Sequence, residues 1–248
     1  MKLILSLIVT LFAGSLYAQT IQKIYLHGIE RDVYYVSKAD ESVKEGPYVV
    51  AFTYDTTHVI YSGFYKNNLK DSLWKYYSFH KLAEMGTYKD DKKVSVWTMY
   101  NGDGSIQLKY DYTNKKLLFY QPGDYDNNIF KIFKGDSVSM GTLQQPPVYL
   151  RGNLMLIDAI ASNIRYPAMA KEGQIQGNVI VSFKINSDGV TSDYKVVKHL
   201  QKDCDNEALR VIKLVSEGWL PGMLDGKPVS VEYVIPVKFA LFVEKKNG

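Results

Sequence analysis

The chain has 248 residues, 46% of them hydrophobic and 23% charged, which is ordinary globular composition and excludes a disordered or collagen-like polymer. The net charge of +4 comes from 30 basic and 26 acidic residues with no basic block, so the sequence carries no footprint of nucleic-acid binding. A single cysteine, Cys204, rules out an intramolecular disulfide, a cysteine zinc cluster, Cys-x-x-Cys redox chemistry and iron–sulfur ligation.

The chain starts with the pattern of an export signal. Met1 and Lys2 form a short basic start, and Leu3 to Leu16 is an apolar run broken by Ser6, Thr10, Gly14 and Ser15. Ala18-Gln19 follows as a cleavage junction, giving an expected signal peptide over residues 1–18. The run is shorter than the roughly 20 apolar residues of a spanning helix. Leu16 stands where a small residue is preferred, so an uncleaved inner-membrane anchor stays open. No cysteine follows for lipid attachment. Cleavage removes Lys2 alone among the charged residues and leaves about +3. The expected location is the periplasm, with tethering at the N-terminus as the alternative.

Residues 19–140 read as an all-β domain of hairpin repeats. Gly63, Tyr65, Lys66, Lys70, Ser72, Trp74 and Tyr77 return 23 residues later as Gly86, Tyr88, Lys89, Lys93, Ser95, Trp97 and Tyr100. Such self-similarity marks units that bury a face on their neighbours. Each unit reads as a hairpin with its turn at Asn67-Asn68 or Asp90-Asp91, because Asn and Asp tolerate positive φ. Glu45 to Tyr48 and Tyr112 to Leu117 look like worn copies, so three or four units fit between about 44 and 120. The aromatic residues could stack on a cell-wall glycan, but half-buried packing between hairpins is the reading favoured for them. Asn101 to Ser105 lacks the later acidic ligand of a calcium loop and reads as a turn. These units resemble the MORN-type repeat, whose second glycine is replaced here by Ser72 and Ser95. The resemblance implies a scaffold or partner-binding sheet.

Residues 141–152, with Gln144-Gln145-Pro146-Pro147, read as a linker. Leu154, Ile157, Ile160, Ala161 and Ile164 then recur at helical spacing. Tyr166-Pro167 stops that helix, and a short one follows over Ala168 to Lys171. Val179, Val181, Phe183 and Ile185 alternate as a strand, Asn186 to Gly189 turns, and a second strand runs from Val190 to about Val197. Ala208, Val211, Ile212 and Val215 mark another helix, with Asp203 or Asp205 as its N-cap and Gly218 as its stop. Trp219 is expected to pin this helix to the sheet, and Cys204 to pack near its start. Val229, Val231, Tyr233, Ile235, Val237, Phe239 and Leu241 fall on every second residue of a long last strand. The order is helix, β-hairpin, helix, strand. It predicts an α+β C-terminal domain over 153–243, a small antiparallel sheet with helices on one face.

This segment resembles the TonB C-terminal domain. The resemblance is carried by Tyr166-Pro167-Ala168, by Gly177 to Phe183, by Asp188-Gly189, by Ala208 to Arg210, by Trp219 to Gly222, and by Gly226 to Val229 through Ile235 to Phe239. It implies binding of a short extended segment of an outer-membrane TonB-dependent receptor, or of another envelope protein, by addition of a strand beside the last one, in support of transmembrane transport. An exposed edge captures an extended peptide through unpaired backbone groups, and Pro236, lacking an amide hydrogen, belongs on such an edge. The expected partner-binding residues are Val231, Glu232, Tyr233, Val234 and Ile235, together with the hallmark pair Tyr166 and Pro167. The same edge permits a strand-paired homodimer.

His27, His58, His80 and His199 are scattered, and no metalloprotease, nucleophile-elbow or phosphate-loop motif occurs. The expectation is a binding protein without catalytic residues, cofactor, metal or nucleic-acid partner. Its alternatives are a membrane-anchored energy transducer and a glycan- or peptidoglycan-binding module.

Overall fold

The structure, a computed structural model, describes residues 19–123, 129–135 and 137–241. The expected signal at 1–18 lies outside the described residues. No helix of the described residues is long and apolar enough to cross a membrane. The chain divides into two units, one built from residues up to 98 with 110–117, the other from 99–109 with 118 onward.

Nine strands form one meander sheet in chain order: β1 (Thr20–His27), β2 (Glu30–Ser37), β3 (Lys44–Phe52), β4 (Val59–Lys66), β5 (Leu69–Ser78), β6 (Lys81–Lys89), β7 (Lys92–Tyr100), β8 (Ile106–Asp111) and β9 (Lys116–Tyr120). The predicted hairpins are β4–β5 and β6–β7. Their turns at Asn67-Asn68 (φ 51° and 67°) and Asp90-Asp91 (φ 48° and 63°) take the left-handed conformation that Asn and Asp accept. Phe79-His80 turns in the same way between β5 and β6 (φ 47° and 64°) without either residue type to announce it. Asn101 to Ser105 is a turn, closed by Asn101 N–H donating to the Ser105 carbonyl at 2.8 Å.

The repeat has a side-chain logic. Trp74 and Trp97 are fully buried. Each indole lies against a glycine, Gly63 or Gly86, and its N–H donates to a backbone carbonyl, of Phe64 or Thr87, at 3.1 Å. A lysine four residues earlier covers each ring: Lys70 lies 4.5 Å from the Trp74 ring centre, and Lys93 3.8 Å from that of Trp97. Lys44 stands 5.0 Å from Tyr48 in the same way, so the unit that starts at β3 keeps the spacing with Tyr in place of Trp. The two indoles therefore belong to the interior and offer no stacking surface to a glycan.

Ser72 and Ser95, at the positions of the missing glycine, hold φ 60° and 55°. This left-handed conformation, which glycine adopts freely, is held by serine at a conformational cost of about 1 kcal/mol. Ser72→Gly and Ser95→Gly are each expected to raise stability by about that amount, read from denaturant midpoints at constant m-value.

In the second unit, β10 (Phe130–Lys134) and β11 (Ser137–Gly141) form a hairpin. They are followed by β12 (Val148–Tyr149), α1 (Gly152–Asn163), α2 (Ala168–Glu172), β13 (Gly177–Ile185), β14 (Thr191–Lys198), α3 (Lys202–Ile212) with a 3-10 turn at Lys213–Val215, β15 (Trp219–Leu220), β16 (Gly222–Leu224) and β17 (Lys227–Phe239). The main sheet runs β11-β10-β17-β13-β14, with β16 paired to the start of β17, while β12 and β15 pair apart. The helix, hairpin, helix, strand order is the predicted one. Two differences stand out. β10 and β11 come from the segment read as repeats and linker, yet they extend the C-terminal sheet. The N-cap of α3 is Gln201, not Asp203 or Asp205. Asp205 lies inside the helix, where its carboxylate accepts from the Leu200 N–H at 3.1 Å and contacts His199 Nδ1 at 2.7 Å.

The core is the inward face of this sheet: Val179, Val181, Phe183 and Ile185 of β13 with Val231, Ile235, Val237 and Phe239 of β17, against Ala208, Val211 and Ile212 of α3. Cys204 is fully buried in it, and burial pushes its thiol pKa up, the opposite of what a reactive thiolate needs. Trp219 is 5% exposed, packs edge-on against Phe183 at 5.7 Å and donates its N–H to the Val215 carbonyl at 2.8 Å, which ties the end of the α3 segment to the sheet.

Candidate functional site

The candidate site is an edge, and its geometry follows from one strand. β17 has thirteen residues and pairs along most of its length with β13, from Ile185 opposite Val231 to Gly177 opposite Phe239. Pro236 stands opposite Ile180. Having no N–H, Pro236 turns its backbone away from β13, and by the two-residue alternation Glu232, Val234 and Lys238 do the same. Their backbone groups form the second side of the strand.

That second side is partly taken. β10 pairs antiparallel with it, Lys131 opposite Glu232, Ile132 opposite Val231 and Phe133 opposite Ser230. Beyond Glu232, no strand of the described residues pairs with it. Phe130 and Ile132 of β10 are 6% and 2% exposed and belong to the common core. Burying two such side chains contributes about 1.5–3 kcal/mol each. On the opposite face, free of helices, the Glu232 carboxylate lies 2.7 Å from Lys195 Nζ and 3.8 Å from Lys131 Nζ, and accepts from Ser182 Oγ at 3.2 Å.

The hydrogen bond from Lys195, assisted by the charges of Lys195 and Lys131, holds the Glu232 carboxyl below its usual pKa of 4.5. A depressed acid adds stability that is present above the unfolded value and lost as pH falls through the folded one. Glu232→Gln is therefore expected to lower stability at pH 7 and to make no difference once the pH is below the depressed pKa. Parallel denaturant titrations of both proteins between pH 7 and pH 3 check this.

The expected binding residues fall into four groups. Val231 and Glu232 are engaged by β10. Tyr233 and Ile235 face the core, Tyr233 lying 5.1 Å from Trp219 and 5.9 Å from Phe183, and Ile235 being 7% exposed. Val234 is 53% exposed on the outer side. Tyr166 and Pro167 sit at the other end of β17. The Tyr166 ring meets Phe239 edge-on at 5.6 Å, and its hydroxyl donates to the Ile175 carbonyl at 2.5 Å. An open hollow of about 350 Å³ beside them is lined by Arg165, Asp203, Asn206, Glu207 and Arg210.

Glu207 organises that corner and was not singled out from the sequence. Its carboxylate accepts from the Arg165 N–H at 2.6 Å and from Arg210 Nε and Nη2 at 2.8 and 2.6 Å, while Arg210 Nη2 also donates to the Asn163 carbonyl at 2.6 Å. The end of α1 and the Tyr166-Pro167 turn are thereby fastened to α3. The hydrogen bond from Arg210 holds the Glu207 carboxyl below its usual pKa range. Among the described residues no cluster of three or more His, Cys, Asp or Glu side chains is placed to hold a metal ion.

A helix-backed antiparallel sheet whose last strand is half open on its outer side defines a small α+β module. Residues 162–241 match the family described as Gram-negative bacterial TonB protein C-terminal. The chain is similar to Protein TonB of Helicobacter pylori strains J99 and 26695, 42% identical over 85 residues in each case, which is 34% of this chain and 28% of the relative. The chain thus spans under a third of the length of these curated relatives. Two NMR solution structures of the Helicobacter pylori TonB C-terminal domain are 37% and 38% identical over 35% of this chain, cover 77% and 91% of theirs, and have a TM-score of 0.28 in both cases.

Proposed function

We propose that this protein is a non-enzymatic envelope protein that binds an extended segment of an outer-membrane TonB-dependent receptor, or of another envelope protein, by adding it as a strand to β17. The carrying observation is the outer side of β17 from Val234 to Lys238, with which no strand of the described residues pairs, within a segment that matches the TonB C-terminal family. Free N–H and C=O groups in register supply affinity to an extended peptide, and side-chain pockets supply selectivity. Export to the periplasm places this edge where receptor segments are presented. The hairpin repeats act as a spacer or a second docking surface.

The test is titration of the full chain with a panel of synthetic receptor N-terminal segments, followed by amide exchange on the complex. Binding with new protection at Val234 and Lys238 supports the reading. Absence of binding across the panel, or protection confined to other strands, overturns it.

A further inference from the structure

The β10–β11 hairpin lies outside residues 162–241 and occupies part of the edge proposed for the partner. We infer that this hairpin is a fixed neighbour rather than a displaceable plug, so that the partner strand is confined to Val234–Lys238 and is selected by the groups displayed there. The inference rests on the strand-addition reading above.

Three features hold the hairpin in place. Phe130 and Ile132 are part of the core, so removing β10 uncovers both. Lys131 and Glu232 stand directly opposite each other, and the carboxylate bridges Lys131 to Lys195 across the sheet. The Phe133 ring lies under two ammonium groups, Lys131 at 5.4 Å and Lys184 at 4.7 Å, which links β10 to β13. A partner strand that evicted β10 would regain backbone hydrogen bonds at Ser230 and Glu232 and forfeit all three.

The remaining edge has an uneven chemistry. Val234 and Lys238 each present an N–H and a C=O, whereas Pro236 presents a C=O alone. A partner strand therefore needs amide hydrogens at three alternate positions, and its carbonyl beside Pro236 finds no donor. Proline in the partner is tolerated only at the intervening positions. On the helix-free face the partner's side chains lie beside the exposed apolar Val234 and the exposed cation Lys238. The favoured ligand is thus an extended five-residue core carrying an apolar and an acidic side chain four residues apart.

The test is a lockable full-chain variant, Lys131→Cys with Glu232→Cys, whose two sulfurs close a bond between β10 and β17; the native Cys204 is buried and does not compete. The probe is the tightest-binding peptide of the receptor panel. Its Kd is expected to agree within about twofold between the oxidised and reduced forms. Weakening by about tenfold or more on oxidation, reversed by reductant, means that β10 must leave, and overturns the inference while leaving strand addition intact. A measurement without peptide decides the hairpin separately: in the wild-type chain the Glu232 amide is expected to exchange about a hundredfold more slowly than that of Val234. Equal rates overturn the inference. Loss of all peptide binding with slow exchange at Glu232 overturns the strand-addition reading, and with it the confinement.

Discussion

A Gly86→Ala variant is expected to lose about 3 kcal/mol of stability, the upper part of the usual range for overpacking. A Cβ at this position would lie 2.2 Å from Trp97 Cδ2, closer than any real contact. The indole has nowhere to go. Its N–H is held by the Thr87 carbonyl at 3.1 Å, Tyr88 and Tyr112 meet it edge-on at 5.0 and 5.9 Å, and Lys93 covers its face. Gly63→Ala places the same strain on Trp74, at 2.1 Å. Thermal melts should show midpoints lower by about 6–12 °C for each. Gly141→Ala is the matched control, since its Cβ would meet only Ile132 Cδ1 at an ordinary 3.5 Å. Wild-type stability in Gly86→Ala would mean that the indole is not locked in place.

Ile132→Asp is expected to release the β10–β11 hairpin. Ile132 is 2% exposed, and its burial alone contributes about 1.5–3 kcal/mol. An aspartate there would also have to bury a charge among Val231, Phe130 and their neighbours without a partner, so the strand leaves rather than accept it. Amide exchange should accelerate at Lys131, Phe133 and Glu232 while the β13–β17 ladder, anchored by Val179, Val181 and Val237, keeps its protection. Ile132→Val, which keeps the site apolar, should cost only about 0.5–1.5 kcal/mol. Uniform acceleration over the whole sheet in Ile132→Asp would instead make the hairpin a condition for folding of the entire unit.

The alternation of Val229 to Phe239 and the paired Trp74 and Trp97 were legible because each pattern is local, set by which face of one element is buried. The helical spacing of Leu154 to Ile164 found α1 but not its face: Met155 and Leu156 are buried, while Ile157 is 54% exposed. Glycine opposite each indole was legible as a repeat, though not as a steric requirement. The fate of Phe130 to Lys134 was not legible. It is a short alternating run like many others, and its register against Ser230 to Glu232 is fixed by residues about a hundred positions away. Glu207 was missed for a similar reason: an isolated carboxylate gives no sign that it reaches Arg165. The α3 cap went to Gln201 because Asp205 serves the chain before the helix, accepting from Leu200 from within it. On β17, the orientation of Pro236 could be read from sequence. How much of its outer side is already taken could not.

The strand order also bears on how the C-terminal part can be studied alone. A fragment beginning at residue 142 keeps everything that resembles the family and discards β10 and β11. Its β17 would then be bare from Ser230 onward, with Val231 uncovered on one flank and an unbroken row of backbone groups beside it. Such a piece is expected to recruit a second copy of itself in place of the missing hairpin, with sedimentation showing concentration-dependent dimers where the full chain does not. Peptide affinities measured on the fragment would then report competition with self-pairing, not the recognition proposed for the full chain.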